Sequence, residues 1–234
     1  MKKYELTDEY IEIGFTTKIK LYRIKALVAI ASIGVNAGDL GGYVEKESNL
    51  DQNNDAWVYG NAKVYGNAEV YGNAEVYGNA WVYGNAKVYG NAEVYGNAEV
   101  CGNAKVYGNA KVCGNAEVYG NAEVYGNAKV YGNARVCGNA KVYGNAEVCG
   151  NAEVYGNAEV YERSDIVWFS NVGTEYGTLT VFKTKQGVLW ITRGCFSGSV
   201  EEFLKKSAEV HDEKTKREYQ LLIEVAKSRL EETQ

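Results

Sequence analysis

The sequence predicts an all-β solenoid, a parallel β-helix of hexapeptide repeats, closed by a small α+β C-terminal cap. Three observations predict it. Over residues 58–159 the unit Val-(Tyr/Cys)-Gly-Asn-Ala-x repeats 17 times without a gap. Within each unit Ala-x-Val-Tyr alternates with a period of two, the signature of a strand with one buried face. The x slot holds Glu, Lys, Arg or Trp, so x and Tyr face solvent while Ala and Val face inward. Gly-Asn then supplies a corner, because Gly accepts positive φ and Asn tolerates left-handed backbone better than other side chains. A short strand and a sharp corner every six residues wind the chain into a coil.

Taken in order, residues 1–57 read as an N-terminal β cap. They contain a β-like stretch over 19–33 and a glycine turn at Asp39-Leu40-Gly41-Gly42. Hexad spacing starts loosely at Val44 and Leu50, with an irregular stretch over 51–55 before the regular array. Residues 58–172 form the β-helix. Three hexads per coil make a triangular prism in which residue i stacks on i+18. With coils about 4.8 Å apart, the array gives under six coils and a rod roughly 27 Å long. Val160, Ile166 and Val172 keep the six-residue spacing with a degenerate motif.

Open ends of such a coil would expose unpaired strands, so caps are expected at both. Residues 173–234 supply the second. Runs over 178–184 and 188–192 around Lys185-Gln186-Gly187 read as a hairpin. Ser199-Val200-Glu201-Glu202 is a capping box that opens a short helix. A final helix is expected over 213–231, with Tyr219, Leu222, Ile223, Ala226 and Leu230 on one stripe that docks on the hairpin.

The i+18 register sorts the variable residues into three faces. On one of them Glu69, Lys87, Lys105, Glu123, Lys141 and Glu159 mostly alternate in sign, which suits cross-strand pairing worth a few tenths of a kcal/mol per pair. Like charges still meet, as at Glu75/Glu93 and Lys111/Lys129. The Tyr slot gives three outer ladders, of which Tyr71, Tyr89, Tyr107, Tyr125, Tyr143 and Tyr161 are uninterrupted. The other two contain Cys101 with Cys137, and Cys113 with Cys149. Each Cys pair is two coils apart, near 10 Å, beyond the roughly 7 Å Cα separation that a disulfide allows. They are expected to be free thiols.

Composition narrows the function classes. A net charge of −5 argues against a nucleic-acid binder, which carries a basic patch. The x slots hold nine acids and seven bases, too even a balance for mimicry of DNA. The longest apolar run, residues 26–33, is far too short to span a bilayer, and no signal-peptide h-region follows Met1. Five Cys, four of them inside repeats, do not make a secreted disulfide scaffold. A soluble, cytoplasmic chain without membrane contact is expected.

The first sixty residues resemble the bacterial YdcK-like family of β-helix proteins. The stretches that carry the likeness are Lys3-Tyr4-Glu5-Leu6, Leu27-Val28-Ala29-Ile30, Ala37-Gly38-Asp39-Leu40-Gly41-Gly42-Tyr43-Val44 and Asp55-Ala56-Trp57-Val58. The resemblance implies left-handed winding, which periodicity does not supply and which departs from the usual right-handed crossover. That family is described as transferase-like on fold similarity and has no active site to carry over. Gly194-Cys195-Phe196-Ser197-Gly198 and Glu202-Phe203, ahead of the Tyr219 helix, resemble tails on such repeats in phage and prophage proteins. This second resemblance implies a host factor as target, and an anti-defence role.

Chemistry finds little purchase in the array. Hexapeptide acyltransferases need a catalytic His beside a cleft between coils, yet the single His, His211, lies outside the repeat. A zinc site of this fold needs three His, and no phosphate-cradling Gly-x-x-x-x-Gly-Lys loop occurs. Cys195 stands near the expected helix start, a setting that lowers a thiol pKa, and His211 is its one imidazole partner. The bland reading of Cys195 is a buried small hydrophobe beside Phe196. Exposed tyrosines supply rigid amphipathic contact area, and Trp57 and Trp81 in otherwise charged slots are candidate anchors. Stacked rings that merely stabilise the coils are the competing reading. The expectation is a non-enzymatic binding protein without cofactor or metal. Its candidate contacts are Trp57, Trp81, Tyr71, Tyr89, Tyr107, Tyr125, Tyr143, Cys195 and Phe196, and its partner is a host protein or small signalling ligand. A spacer or scaffold, oligomeric through the C-terminal domain, is the alternative, and a degenerate acyltransferase a further one.

Overall fold

The computed structural model describes residues 2–184 and 186–230. Each hexad folds as expected into one two-residue strand, from β4 (Trp57–Val58) to β21 (Glu159–Val160), separated by Gly-Asn corners. Parallel pairing joins each strand to the one three hexads on: Glu69 lies opposite Lys87, Lys105 opposite Glu123, and Val112 opposite Val130. Three sheets result, the faces of a β-solenoid. Every repeat Val and Ala from Ala56 to Val160 is at most 2% exposed. A buried Val side chain contributes about 1.5–3 kcal/mol on transfer from water. Strands of two residues have little else to hold them, so layer-on-layer stacking carries the fold.

The rod starts earlier than the perfect repeat. Leu40–Val44 (β3) pairs in parallel with the Lys63–Val64 strand, and Leu50 bridges Val70, which adds a coil. One sheet is therefore seven parallel strands deep, against the under-six coils expected from the perfect hexads. Gly41 and Gly42 are not a turn; both are buried inside β3. A Cβ on Gly41 would lie 2.5 Å from Ile24, and one on Gly42 2.6 Å from Val58, so close packing excludes a side chain. The turn falls at Gly38, with φ +95.

The corners hold the second difference from expectation. Glycines of the repeat all take positive φ, between +58 and +76, whereas their Asn neighbours do not. Asn serves instead through its side chain. Asn67 Nδ2 donates to Asn85 Oδ1 at 3.2 Å, Asn85 to Asn103 at 3.0 Å, and the chain continues to Asn157. Two parallel ladders run from Asn61 to Asn151 and from Asn73 to Asn145. All point their donors toward the C-terminal end. Lys46 Nζ meets the free acceptor at the start of one ladder at 3.2 Å, and Glu162 takes the free donor at the end of another at 3.4 Å.

Both ends are closed. At the first, Tyr4–Ile13 (β1) and Ile19–Ala26 (β2) form an antiparallel hairpin that continues the sheet of β3. Lys3, 5% exposed, donates to the carbonyl of Ala56 at 2.8 Å, and Tyr4 gives its hydroxyl to the carbonyls of Glu47 and Leu50. Burial pushes the Lys3 ammonium down to about 8. At the other end, Ile166–Val172 (β22), Gly177–Lys183 (β23), Leu189–Arg193 (β24) and Phe196–Ser199 (β25) make an antiparallel sheet. The hexad spacing of Ile166 and Val172 thus bounds an antiparallel strand, not a further coil. Two hydroxyls of that sheet, wholly buried, replace the missing next layer. Thr180 Oγ1 accepts from the Glu153 N–H at 3.1 Å, and Thr192 Oγ1 donates to the Glu153 carbonyl at 2.6 Å. Behind the sheet lie Val200–Val210 (α1), capped by Ser199 as expected, and Glu213–Leu230 (α2). Of the expected stripe, Tyr219, Ile223, Ala226 and Leu230 are buried and Leu222 partly so, but α2 packs mainly on β22 and β23 rather than on the β23–β24 hairpin.

Candidate functional site

Register alone places the tyrosine ladder. Residues 18 apart share a sheet position one layer up, so their rings must meet. Tyr71, Tyr89, Tyr107, Tyr125 and Tyr143 stack face to face with centroids 4.8–5.0 Å apart and planes within 8°. Tyr161 ends the column tilted by 58°. Two of their hydroxyls are also engaged: Tyr107 donates to Glu123 at 3.2 Å, Tyr143 to Glu159 at 3.4 Å. Burial, then the hydrogen bond to Glu93, drives the Tyr77 phenol well above its usual range. Such rings offer partners their edges only, with faces spent on one another.

The two tryptophans separate. Trp57 is 1% exposed, packed edge-on against Tyr4 at 6.2 Å. It is therefore a core residue and no anchor: the N-terminal hairpin covers the slot that elsewhere faces water. Trp81 stays half-buried, with Lys63 Nζ 4.7 Å from its ring centre and Tyr65 packed edge-on at 6.0 Å. Among the described residues Cys101, Cys113, Cys137 and Cys149 are free thiols. Each stands in a Tyr slot, and burial pushes the Cys101 and Cys137 thiols up.

Cys195 and Phe196 lie elsewhere, at a pocket of about 300 Å³ in the C-terminal unit. Consecutive segments of the C-terminal unit build it, joined by Thr174 and Glu175 from the turn between β22 and β23. The turn between β24 and β25 brings Arg193, Cys195 and Phe196; α1 brings Phe203 and Lys206; His211 and Tyr219 close the side toward α2. Cys195 is exposed, not a buried hydrophobe, and the whole of β25 separates it from the start of α1. The helix-start setting expected for its thiol is thus not formed. His211 caps the end of α1, with Nδ1 3.2 Å from Ser207 Oγ.

Four rings run edge-to-face through this pocket. Phe196 meets Phe203 at 5.2 Å and 65°, Phe203 meets Tyr219 at 5.1 Å and 76°, and Tyr219 meets His211 at 5.4 Å and 69°. Such pairs add about 0.5–1.5 kcal/mol each beyond burial, which fixes the floor of the pocket. Glycines make room for it. A Cβ at Gly173 would overlap the Tyr219 hydroxyl, and one at Gly177 the Arg193 guanidinium. Arg193 Nη2 donates to the Val172 carbonyl at 3.1 Å, while its buried Nε has no partner among the described residues. Lys206 Nζ sits 5.6 Å from the centre of the Phe196 ring. Sequence reasoning named Cys195 and Phe196 but not Arg193, Phe203, Lys206 or Tyr219 as their companions; no local motif links them.

Among the described residues no group of three or more His, Cys, Asp or Glu could hold a metal ion. No helix of the described residues is long and apolar enough to cross a membrane. No protein-family model and no curated protein matches the chain.

Proposed function

We propose that this is a non-enzymatic binding protein whose solenoid is a rigid support and whose C-terminal unit engages the partner. The carrying observation is the contrast between the two candidate surfaces. Ladder tyrosines already spend their faces on ring neighbours, and Tyr107 and Tyr143 their hydroxyls on carboxylates, whereas the C-terminal pocket gathers apolar rings and cations around open space. Interfaces draw their energy from such aromatic and Arg-containing pockets rather than from evenly wetted faces. Following the likeness of its tail to phage and prophage proteins, the partner class is a factor of the host cell, bound so as to sequester it.

Affinity capture with the full-length chain tests this. The host factor should be retained by the double variant Tyr107→Ser, Tyr125→Ser and lost on Lys206→Glu, a solvent-exposed change that spares the fold. The opposite pattern would move binding to the ladder and overturn the proposal.

A further inference from the structure

We propose that the C-terminal pocket binds a small molecule with a flat aromatic body and one anionic group. The body is argued from the floor. Phe196, Phe203, Tyr219 and His211 form a continuous edge-to-face series, and a further ring seated against that series extends the same geometry. A space of about 300 Å³ lies at the small end of ligand pockets, which run roughly 300–1,000 Å³. Aromatic floors can also hold cations. Here that role is taken, because Lys206 already lies over Phe196 and Arg193 lines the same wall.

Charge settles the sign. Arg193 and Lys206 face the space against one carboxylate, Glu175, on the opposite loop. Arg193 has donor capacity unspent by its bond to Val172. A second cation would meet both positive groups, while a carboxylate, sulfonate or phosphate meets complementary charge. This deepens the binding reading, resting on the C-terminal unit as the engaging end, and adds a ligand class to it.

The test uses the purified full-length chain and two probes that share an aromatic body. 8-Anilinonaphthalene-1-sulfonate carries the anion; N-phenyl-1-naphthylamine lacks it. The sulfonate should bind saturably at one site per chain, at least tenfold tighter than the neutral amine. Lys206→Glu should weaken the sulfonate tenfold or more and leave the amine unchanged, and Phe196→Ala should weaken both. Equal affinity for the two probes, or a sulfonate affinity indifferent to Lys206→Glu, would overturn the proposal. So would loss of the signal on Leu221→Lys, which alters an exposed apolar position on α2. No partner protein enters this measurement, so its failure and a failed capture experiment are read separately.

Discussion

Replacing Gly108 by Ala should destabilise the solenoid by clearly more than the same change at Gly60. Both are repeat corners with positive φ, +73 and +58. An L side chain in that conformation costs roughly 1–2 kcal/mol, and this part is common to the two. Their surroundings differ. A Cβ on Gly108 would lie 3.0 Å from the backbone nitrogen and 3.2 Å from the carbonyl oxygen of Gly126 in the next layer, whereas Gly60 has only the Gly78 oxygen, at 3.8 Å. Backbone pinned in a ladder on both sides yields little, and overpacking of that kind costs about 1–3 kcal/mol. The expected losses are therefore about 1–2 kcal/mol at Gly60 and about 2–5 kcal/mol at Gly108. Asn separates the components further, since it tolerates the left-handed backbone yet keeps a Cβ. Gly60→Asn should be nearly silent and Gly108→Asn should not. Urea unfolding followed by circular dichroism measures the series, given a single transition across the coils. Equal losses at the two sites would refute the idea that glycine is required by the approach of successive layers.

The ladders and end caps carry further consequences. Asn109→Ala removes two ladder bonds, to Asn91 and Asn127, and should cost about 1–3 kcal/mol, against roughly half that for Asn157→Ala at a ladder end, by urea denaturation. Thr192→Val keeps the shape but strands the Glu153 carbonyl, so the neighbouring amides of the last coil should exchange hydrogen faster while those around Val112 stay protected. Burial first, with the Glu99 charge next, pushes the Tyr65 phenol up from 10.0 to about 12, and the bond to Cys137, then burial, does the same to Tyr119. Phenols raised in the folded state stabilise it fully below pH about 10 and lose that contribution as pH climbs toward 12. Tyrosinate absorbance should therefore rise late and together with unfolding; ionisation complete by pH 10.5 with the fold intact would contradict it.

Periodicity made the solenoid legible because one residue class fills one environment in eighteen successive hexad strands, β4 to β21. Val and Ala had a single place to go, and the i+18 register followed from three hexads per coil. Where one residue had two sufficient reasons, the sequence could mislead. Asn suits a left-handed corner, but its actual work is lateral, bonding to its copy above. Trp57 stands in an outward slot, yet the hairpin of β1 and β2, far upstream in the chain, folds back to cover it through Tyr4, and nothing local announces that cover. Gly41-Gly42 has the look of a turn and is a strand pressed between Ile24 and Val58. The pocket was least legible of all, since Arg193, Phe203 and Tyr219 meet only after a sheet and two helices have packed.

The one-way asparagine ladders, with Lys46 at a leading acceptor and Glu162 at a trailing donor, give the array a unit of growth. Inserting three hexads returns every terminus to the same edge of the prism and lengthens the rod by about 4.8 Å. Inserting one or two would keep Lys46 on its first Asn and Glu162 on its last, yet turn the distal unit by a third or two thirds of a revolution relative to the N-terminal hairpin. Duplication in steps of eighteen residues is thus a ruler that sets how far the two ends stand apart while preserving their mutual bearing.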